Sequence, residues 1–178
     1  MDKVTVMGKY TAICRDAEGH ELWREEFDNL LTQVGKALLL DQGLAGSGYT
    51  AGEYLGLISS TGFTAVSGGD TMASHGGWAE AGSANVPTYS GNRQTTAWTA
   101  STLSGSPNYS ATKSLSGGLT FTFTGSGTVQ GAFIVGGSGA SATVGNTGGT
   151  LYSAGTFGSS QPVVATNTLT VFYSTTLT

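Results

Sequence analysis

Ionisable side chains are what this sequence has least of. Residues 81–178 carry two formal charges, Arg93 and Lys113, and no Asp or Glu. The stretch "GGLTFTFTGSGTVQGAFIVGGSGASATVGNTGG", residues 117–149, carries none. Chemistry that moves protons needs such groups, so this half of the chain has little to offer an acid–base mechanism. Histidine is nearly as scarce, at two residues, His20 and His75. Asp70 and Glu80 stand five residues to either side of His75, which is no ligand spacing, and a metal site needs several converging donors. Neither a metal nor a cofactor is expected. The single cysteine, Cys14, excludes an intrachain disulfide framework. The longest apolar run, "ALLLDQGLAG", is broken by Asp41 and too short to span a bilayer. The opening "MDKVTVMGKY" alternates apolar and polar residues where a signal peptide would be continuously apolar, so synthesis and folding in the cytoplasm are expected. A net charge of −4 with no stripe of Lys and Arg argues against binding nucleic acid through its phosphates.

What is present is charge at one end and β-forming residues at the other. Nine of the eleven acids and five of the seven bases fall in residues 1–53. Residues 3–14 alternate: Val4, Val6, Tyr10, Ala12 and Cys14 share one face, Lys3, Thr5, Lys9 and Thr11 the other. Period two is the mark of a strand with one buried face. Met7 and Ile13 add apolar surface to the polar side, as a partner-contacting face would have. In "RDAEGHE", Asp16 and Gly19 are hairpin-turn residues. The return strand "ELWREEF" comes next, with Trp23, Glu25 and Phe27 on one side. An isolated hairpin is marginal in water, so this ribbon must lie on the body or on another subunit. The expected organisation is a β-ribbon arm over residues 1–30 and a β-sandwich body over residues 31–178.

A short helix is expected near residues 32–42, with Thr32 as N-cap, Leu31 ahead of it and Gly43 as its stop. Gly35 inside it suggests close backbone approach to a sheet. "EYLGLISS" reads as a strand. "GGDTMASHGGW" reads as a loop with a helical turn capped by Asp70, Met72 pointing inward and Trp78 anchoring the next segment. "GNRQTTAWTAST" reads as a strand centred on Trp98, and "GGLTFTFT" and "GTVQGAFIVGG" as a pair turned by Gly125-Ser126-Gly127. "GTLYSAGTF" is a further short segment, and "NTLTVFYSTTLT" is a closing strand with Leu169, Val171 and Tyr173 on one face. Seven to nine strands with Gly-rich turns and no βα alternation imply a mostly β fold, a β-sandwich or jelly roll. Thr and Ser hydrate a sheet face without charge, and Thr favours the strand. A face without charge also lacks one defence against edge pairing, which suits a chain held by neighbouring copies.

Catalytic patterns are weak. Serines abound without a G-x-S-x-G elbow; "GGSGA" at 136–140 ends in Ala. Cys14 alternates with Val4 and Val6 as a small buried residue. The carboxylates Glu21, Glu25, Glu26 and Asp28 stand beside Arg15 and Arg24 as a solvated face. Trp23, Trp78, Trp98 and the tyrosines could line a sugar-binding surface, although such residues serve more often as core or interface anchors.

The strings "FDNLLTQVGKALLLDQGLAGSGYTAGEYLGLISS", "GDTMASHGGWAEAGSANVPTYSGNRQTTAW" and "GTVQGAFIVGG…GTLYSAGTF…NTLTVFY" together resemble small proteins encoded in the structural regions of tailed bacteriophages and prophages. The resemblance is closest over residues 27–98 and covers nearly the whole chain. It implies a particle component without enzymatic activity: a capsid decoration (cement) protein, a head fibre or a tail part. The first of these is expected here. It would sit on the capsid exterior of the virion and clamp neighbouring subunits of the major capsid protein, as a homo-oligomer such as a trimer, with no membrane partner. The interface residues expected are Tyr10, Trp23 and Phe27 as apolar anchors and Arg15, Arg24, Glu25 and Glu26 as charged rim. The alternative is a tail or head-fibre protein contacting a host surface glycan.

Overall fold

The hairpin that opens the chain occupies the middle of the molecule. In the computed structural model, which describes residues 5–45, 53–82, 85–105 and 110–178, strand β1 (Val6–Arg15) pairs with β2 (Glu21–Leu31) through a turn at Asp16–Gly19. Gly19 supplies that turn's positive φ of 90°. The other edge of β1 pairs along its whole length with the last strand, β11 (Thr168–Leu177), from Val6 opposite Leu177 to Arg15 opposite Thr168. The ribbon is therefore no arm. An amphipathic hairpin needs somewhere to bury its apolar face, and this one buries it in its own chain. Lys3 and Val4 of the expected strand lie outside the described residues.

The rest of the chain builds outward from this centre. Helix α1 (Gln33–Leu40) leads to β3 (Tyr54–Ser59), β4 (Ala79–Glu80), β5 (Gln94–Thr95), β6 (Thr102–Ser104), β7 (Ser110–Ser114), β8 (Leu119–Thr122), β9 (Gly127–Gly136) and β10 (Thr150–Val163). The antiparallel order is β4-β3-β9-β10-β2-β1-β11-β7-β6, with β5 also on β3 and β8 also on β11. Strand β2 joins two layers. Up to Asp28 it pairs with β1, and from Asn29 to Leu31 it pairs with β10. The front layer holds β1, β11, β8, β7 and β6; the back layer holds β10, β9, β3, β4 and β5. The fold is mostly β with one short helix, as expected. The strand order does not by itself establish a jelly-roll winding.

The layers share one core. Tyr10, Ala12, Cys14, Phe121, Leu169, Val171 and Tyr173 face it from the front, and Leu55, Leu57, Val129, Ile134, Phe157 and Val163 from the back. Tyr10 stacks on Phe27 at 5.0 Å, and Phe27 meets Phe157 edge-on at 4.8 Å, so an aromatic chain links the layers. The Tyr10 and Ser153 hydroxyls, 2.9 Å apart, add a hydrogen bond across the core. Burial of this kind contributes about 25 cal/mol per Å² of apolar surface.

Strands β3 and β9 are buried on both faces. Ile58, Phe133 and Val135 turn away from the shared core into a second cluster, covered by Met72 and Trp78 with Phe63 and Val66. This is why the faces of β9 are indistinct in sequence. The covering loop contains no helical turn. Asp70 instead accepts hydrogen bonds from the Ser67 backbone N–H (2.9 Å) and the Trp78 indole N–H (2.9 Å), which pins Trp78 over the sheet.

Thr32 caps α1 as expected, its hydroxyl oxygen accepting from Gly35 N–H at 3.0 Å. A Cβ on Gly35 would sit 2.0 Å from the Tyr152 carbonyl oxygen, so only glycine lets the helix lie this close to β10. Gly43 does not stop the helix; a π-helical turn, Asp41–Ala45, continues through it. The strand expected around Trp98 shrinks to β5 and an isolated bridge from Trp98 to Leu115. The reason is its route. The segment donates from Thr96 to Glu53 on the back layer, accepts at Ala97 from Ser116, and donates from Thr99 to Ser114 on the front layer, closing the gap between them. "GTLYSAGTF" proves to be the start of β10, the longest strand.

Candidate functional site

The outer face of the front layer is set by strand parity. With Tyr10, Ala12 and Cys14 inward, Met7, Lys9, Thr11, Ile13 and Arg15 point out, and the register places Thr176, Ser174, Phe172, Thr170 and Thr168 of β11 beside them. Beyond lie Thr120 and Thr122 of β8 and Thr112 and Ser114 of β7. The hydroxyls pair with one another across strands, Thr120 with Thr170 at 2.9 Å and Thr112 with Thr176 at 2.8 Å. Such cross-strand pairs substitute for charge in holding a sheet face. Two large apolar side chains are exposed in this field, Met7 at 55% and Phe172 at 40%, while Ile13 of the same parity is covered. Phe172 leans over Gly118, where a Cβ would come within 2.8 Å of its ring.

Charge flanks one side only. Lys9 pairs with Glu26, and Arg24 with Glu21 at 3.0 Å, all on the outer face of the hairpin. The Lys9 ammonium holds the Glu26 carboxyl below its ordinary range, and Arg24 does the same for Glu21.

Of the residues expected at an interface, the structure brings only some together. Arg15, Arg24 and Glu26 lie on this face. Tyr10 and Phe27 do not; both are core residues. Trp23 is half-buried against Phe157, edge-on at 5.6 Å, and its indole N–H donates to the Pro162 carbonyl at 2.9 Å. Glu25 lies on the same side as Trp23 and accepts from the Gln161 amide at 2.7 Å. These residues share the inward parity of β2, so they close the β2–β10 corner. Phe172 went unassigned although the closing strand's alternation put it opposite Leu169 and Val171.

Three recesses add chemistry. A cleft of about 270 Å³ opens between α1, the start of β3, Trp98 and β7, lined by Leu38, Leu39, Gln42, Glu53, Trp98 and Lys113 among others. Burial pushes the Glu53 carboxyl up, against smaller opposing effects of Trp98, Lys113 and Thr96. A groove of about 480 Å³ is lined by His75, Trp78, Glu80 and Asn146 among others. Its imidazole and its carboxylate are both already engaged. His75 stacks on Trp78 at 3.9 Å, with Nδ1 2.9 Å from the Trp78 carbonyl oxygen. Glu80 is held bidentately by Arg93 at 2.8 and 2.7 Å. A smaller recess of about 220 Å³ lies by Tyr89 and Val144. At the hairpin tip, Asp16, Glu18 and His20 offer ligand atoms within 4.8 Å of one another. Asp16 is there already bonded to the backbone and ring of His20, at 2.8 and 3.0 Å, as a turn requires.

Arg93 was legible in sequence only as a rare charge. It is 2% exposed, and beyond Glu80 it donates to the carbonyls of Ser141 (2.9 Å) and Asn146 (2.7 Å). Glu80 also accepts from Gly145 N–H at 2.8 Å. One ion pair thus holds the glycine-rich loop between β9 and β10 in place. Comparison with family models, with curated proteins and with solved structures finds no match to this chain.

Proposed function

We propose that this protein is a structural component of a tailed-bacteriophage particle, a decoration protein that seats the outer face of its front layer on the assembled capsid. The observation that carries the reading is the composition of that face: Met7 and Phe172 exposed in a field of paired hydroxyls, with ion pairs on one flank. Phe172 lies four residues along β11 from Thr176, the neighbour of Met7, so the face offers two separate apolar anchors in polar surroundings, which suits a protein–protein contact. Burying hydroxyls already bonded to each other costs less than burying free charges. Arg15 and the ion pairs on the flank would set register and encounter rate more than affinity.

The contact is made by a face, not by adding a strand. Both edges of β1 are occupied, the outermost strands β4, β5, β6 and β8 span two to four residues each, and the longer edge of β2 over Glu21–Asp28, which pairs only with β1, carries five charged side chains. Short or charged edges are poor templates for pairing with another chain. The partner would be neighbouring copies of the major capsid protein. A surface formed only by assembled subunits makes binding stabilise the shell by mass action, by about 2.7 kcal/mol per site at a hundredfold excess over Kd.

The test is the copy number in purified particles, together with shell melting in the presence of wild-type protein or of Phe172→Asp. Near-equimolar amounts relative to the major capsid protein and a raised shell melting temperature, lost in the variant, are expected. A few copies per particle would sink the reading. The alternative of a fibre contacting a host glycan needs a sugar site, and the cleft beside Trp98 offers chemistry for one.

A further inference from the structure

We propose that the cleft between α1, β3 and Trp98 binds a single neutral sugar ring, the terminal residue of a surface glycan. Its volume, about 270 Å³, falls just under the range of drug-sized pockets and suits one six-membered ring. Leu38, Leu39 and the Trp98 indole form apolar walls. The indole is fixed before any ligand arrives: it meets Tyr173 edge-on at 5.9 Å, and its N–H donates to the Thr96 hydroxyl at 3.0 Å. A rigid aromatic wall suits the C–H face of a pyranose, at little entropic cost on binding.

The polar lining selects the ligand's chemistry. The Gln42 Nε2 amide is buried and has no hydrogen-bond partner among the described residues. A buried donor left unmatched is costly, and since the Gln42 side chain lines the cleft, a turn of its amide toward a ligand hydroxyl would satisfy it. Glu53 is the complementary acceptor. Its carboxyl is pushed up by burial, and a hydroxyl donated by a ligand would replace the water it has lost. Lys113, on the rim, donates to the Thr99 carbonyl at 3.1 Å. With one acid and one base lining the cleft, neither an anion nor a cation is favoured. A polyol, able to donate to Glu53 and accept from Gln42, satisfies both.

The proposal does not depend on capsid docking, and its test uses the isolated full-length chain. Methyl glycosides of glucose, galactose, mannose and N-acetylglucosamine would be screened by saturation-transfer NMR and tryptophan fluorescence. At least one is expected to bind with Kd of about 1 mM, typical of a single small ring. Gln42→Leu and Glu53→Gln should each weaken it by about tenfold or more without lowering the urea midpoint. Trp98→Ala should abolish it; because Trp98 also packs on the core, the two polar variants carry the test if that one fails to fold. The proposal is overturned if none of the glycosides binds at about 50 mM, fifty times that Kd, or if binding survives unchanged in both polar variants.

Discussion

The front and back layers draw on the same Thr-, Gly- and Phe-rich vocabulary and use it in opposite ways. The front layer keeps one face in solvent and covers it with paired hydroxyls and a few ion pairs. The back layer has its outer face roofed by the loop carrying Met72 and Trp78, and it encloses the Arg93–Glu80 pair. Few charges thus mean different things in the two places. In front they leave a face suited to contact. Behind, the few charges present are structural, because a buried charge persists only when paired.

The largest effects should come from the back layer. Arg93→Ala leaves Glu80 buried and unpaired and frees the glycine-rich loop, and should cost about 3–5 kcal/mol in urea unfolding. Arg93→Lys should not rescue it, since an ammonium cannot reproduce the bidentate fork. Phe133→Ala, which empties the space between Trp78 and β3, should cost about 3–5 kcal/mol by the same measurement. A smaller loss, about 1 kcal/mol, is expected for Tyr10→Phe, which deletes the bond to Ser153 that joins the layers. If Tyr10→Phe proved as damaging as Arg93→Ala, the contrast between the layers would fail.

The front face should respond in the reverse sense. Phe172→Thr and Met7→Thr should change stability by less than about 0.5 kcal/mol while removing capsid binding in a sedimentation assay. A large loss of stability would make these core residues, not contact residues.

Titration sharpens the comparison at the cleft between the layers. Glu53 holds its proton more tightly folded than unfolded, because burial raises its carboxyl. Its contribution therefore favours the folded state while it stays protonated. That contribution falls as pH rises from the ordinary glutamate range through the raised folded value. Glu53→Gln should flatten this slope in urea midpoints measured across that range. The smallest effect belongs to Cys14, fully buried with its thiol pushed up to about 11. It should resist a thiol reagent at neutral pH and react once the chain is unfolded.

Legibility in the sequence varied with the range of the interactions involved. The Thr32 cap and the close approach at Gly35 were readable because each depends on a few adjacent residues. So was the inward face of β1 and β11, where alternation is clean. The role of Tyr10 and Phe27 was misread because alternation says that a face is apolar, not whose core it enters. Trp98 was placed in a strand because its neighbours have β-forming side chains, whereas the backbone there hydrogen-bonds first to one layer and then to the other. The cleft was not legible at all. Gln42, Glu53 and Lys113 meet in it from separate parts of the chain, and Trp98 was flagged only as one of several aromatics that could line a sugar-binding surface.

The sequence by itself determined a mostly β chain, a helix beginning at Thr32, a buried thiol and a latter half with almost nothing to titrate. All of these come from side-chain chemistry acting over a few residues. Tertiary structure alone decided that the charged hairpin is central, that Arg93 closes on Glu80, and that the face carrying Met7 and Phe172 is left exposed. Those outcomes depend on strand register and on which layer covers which, set by contacts between residues far apart in the chain that no local pattern encodes.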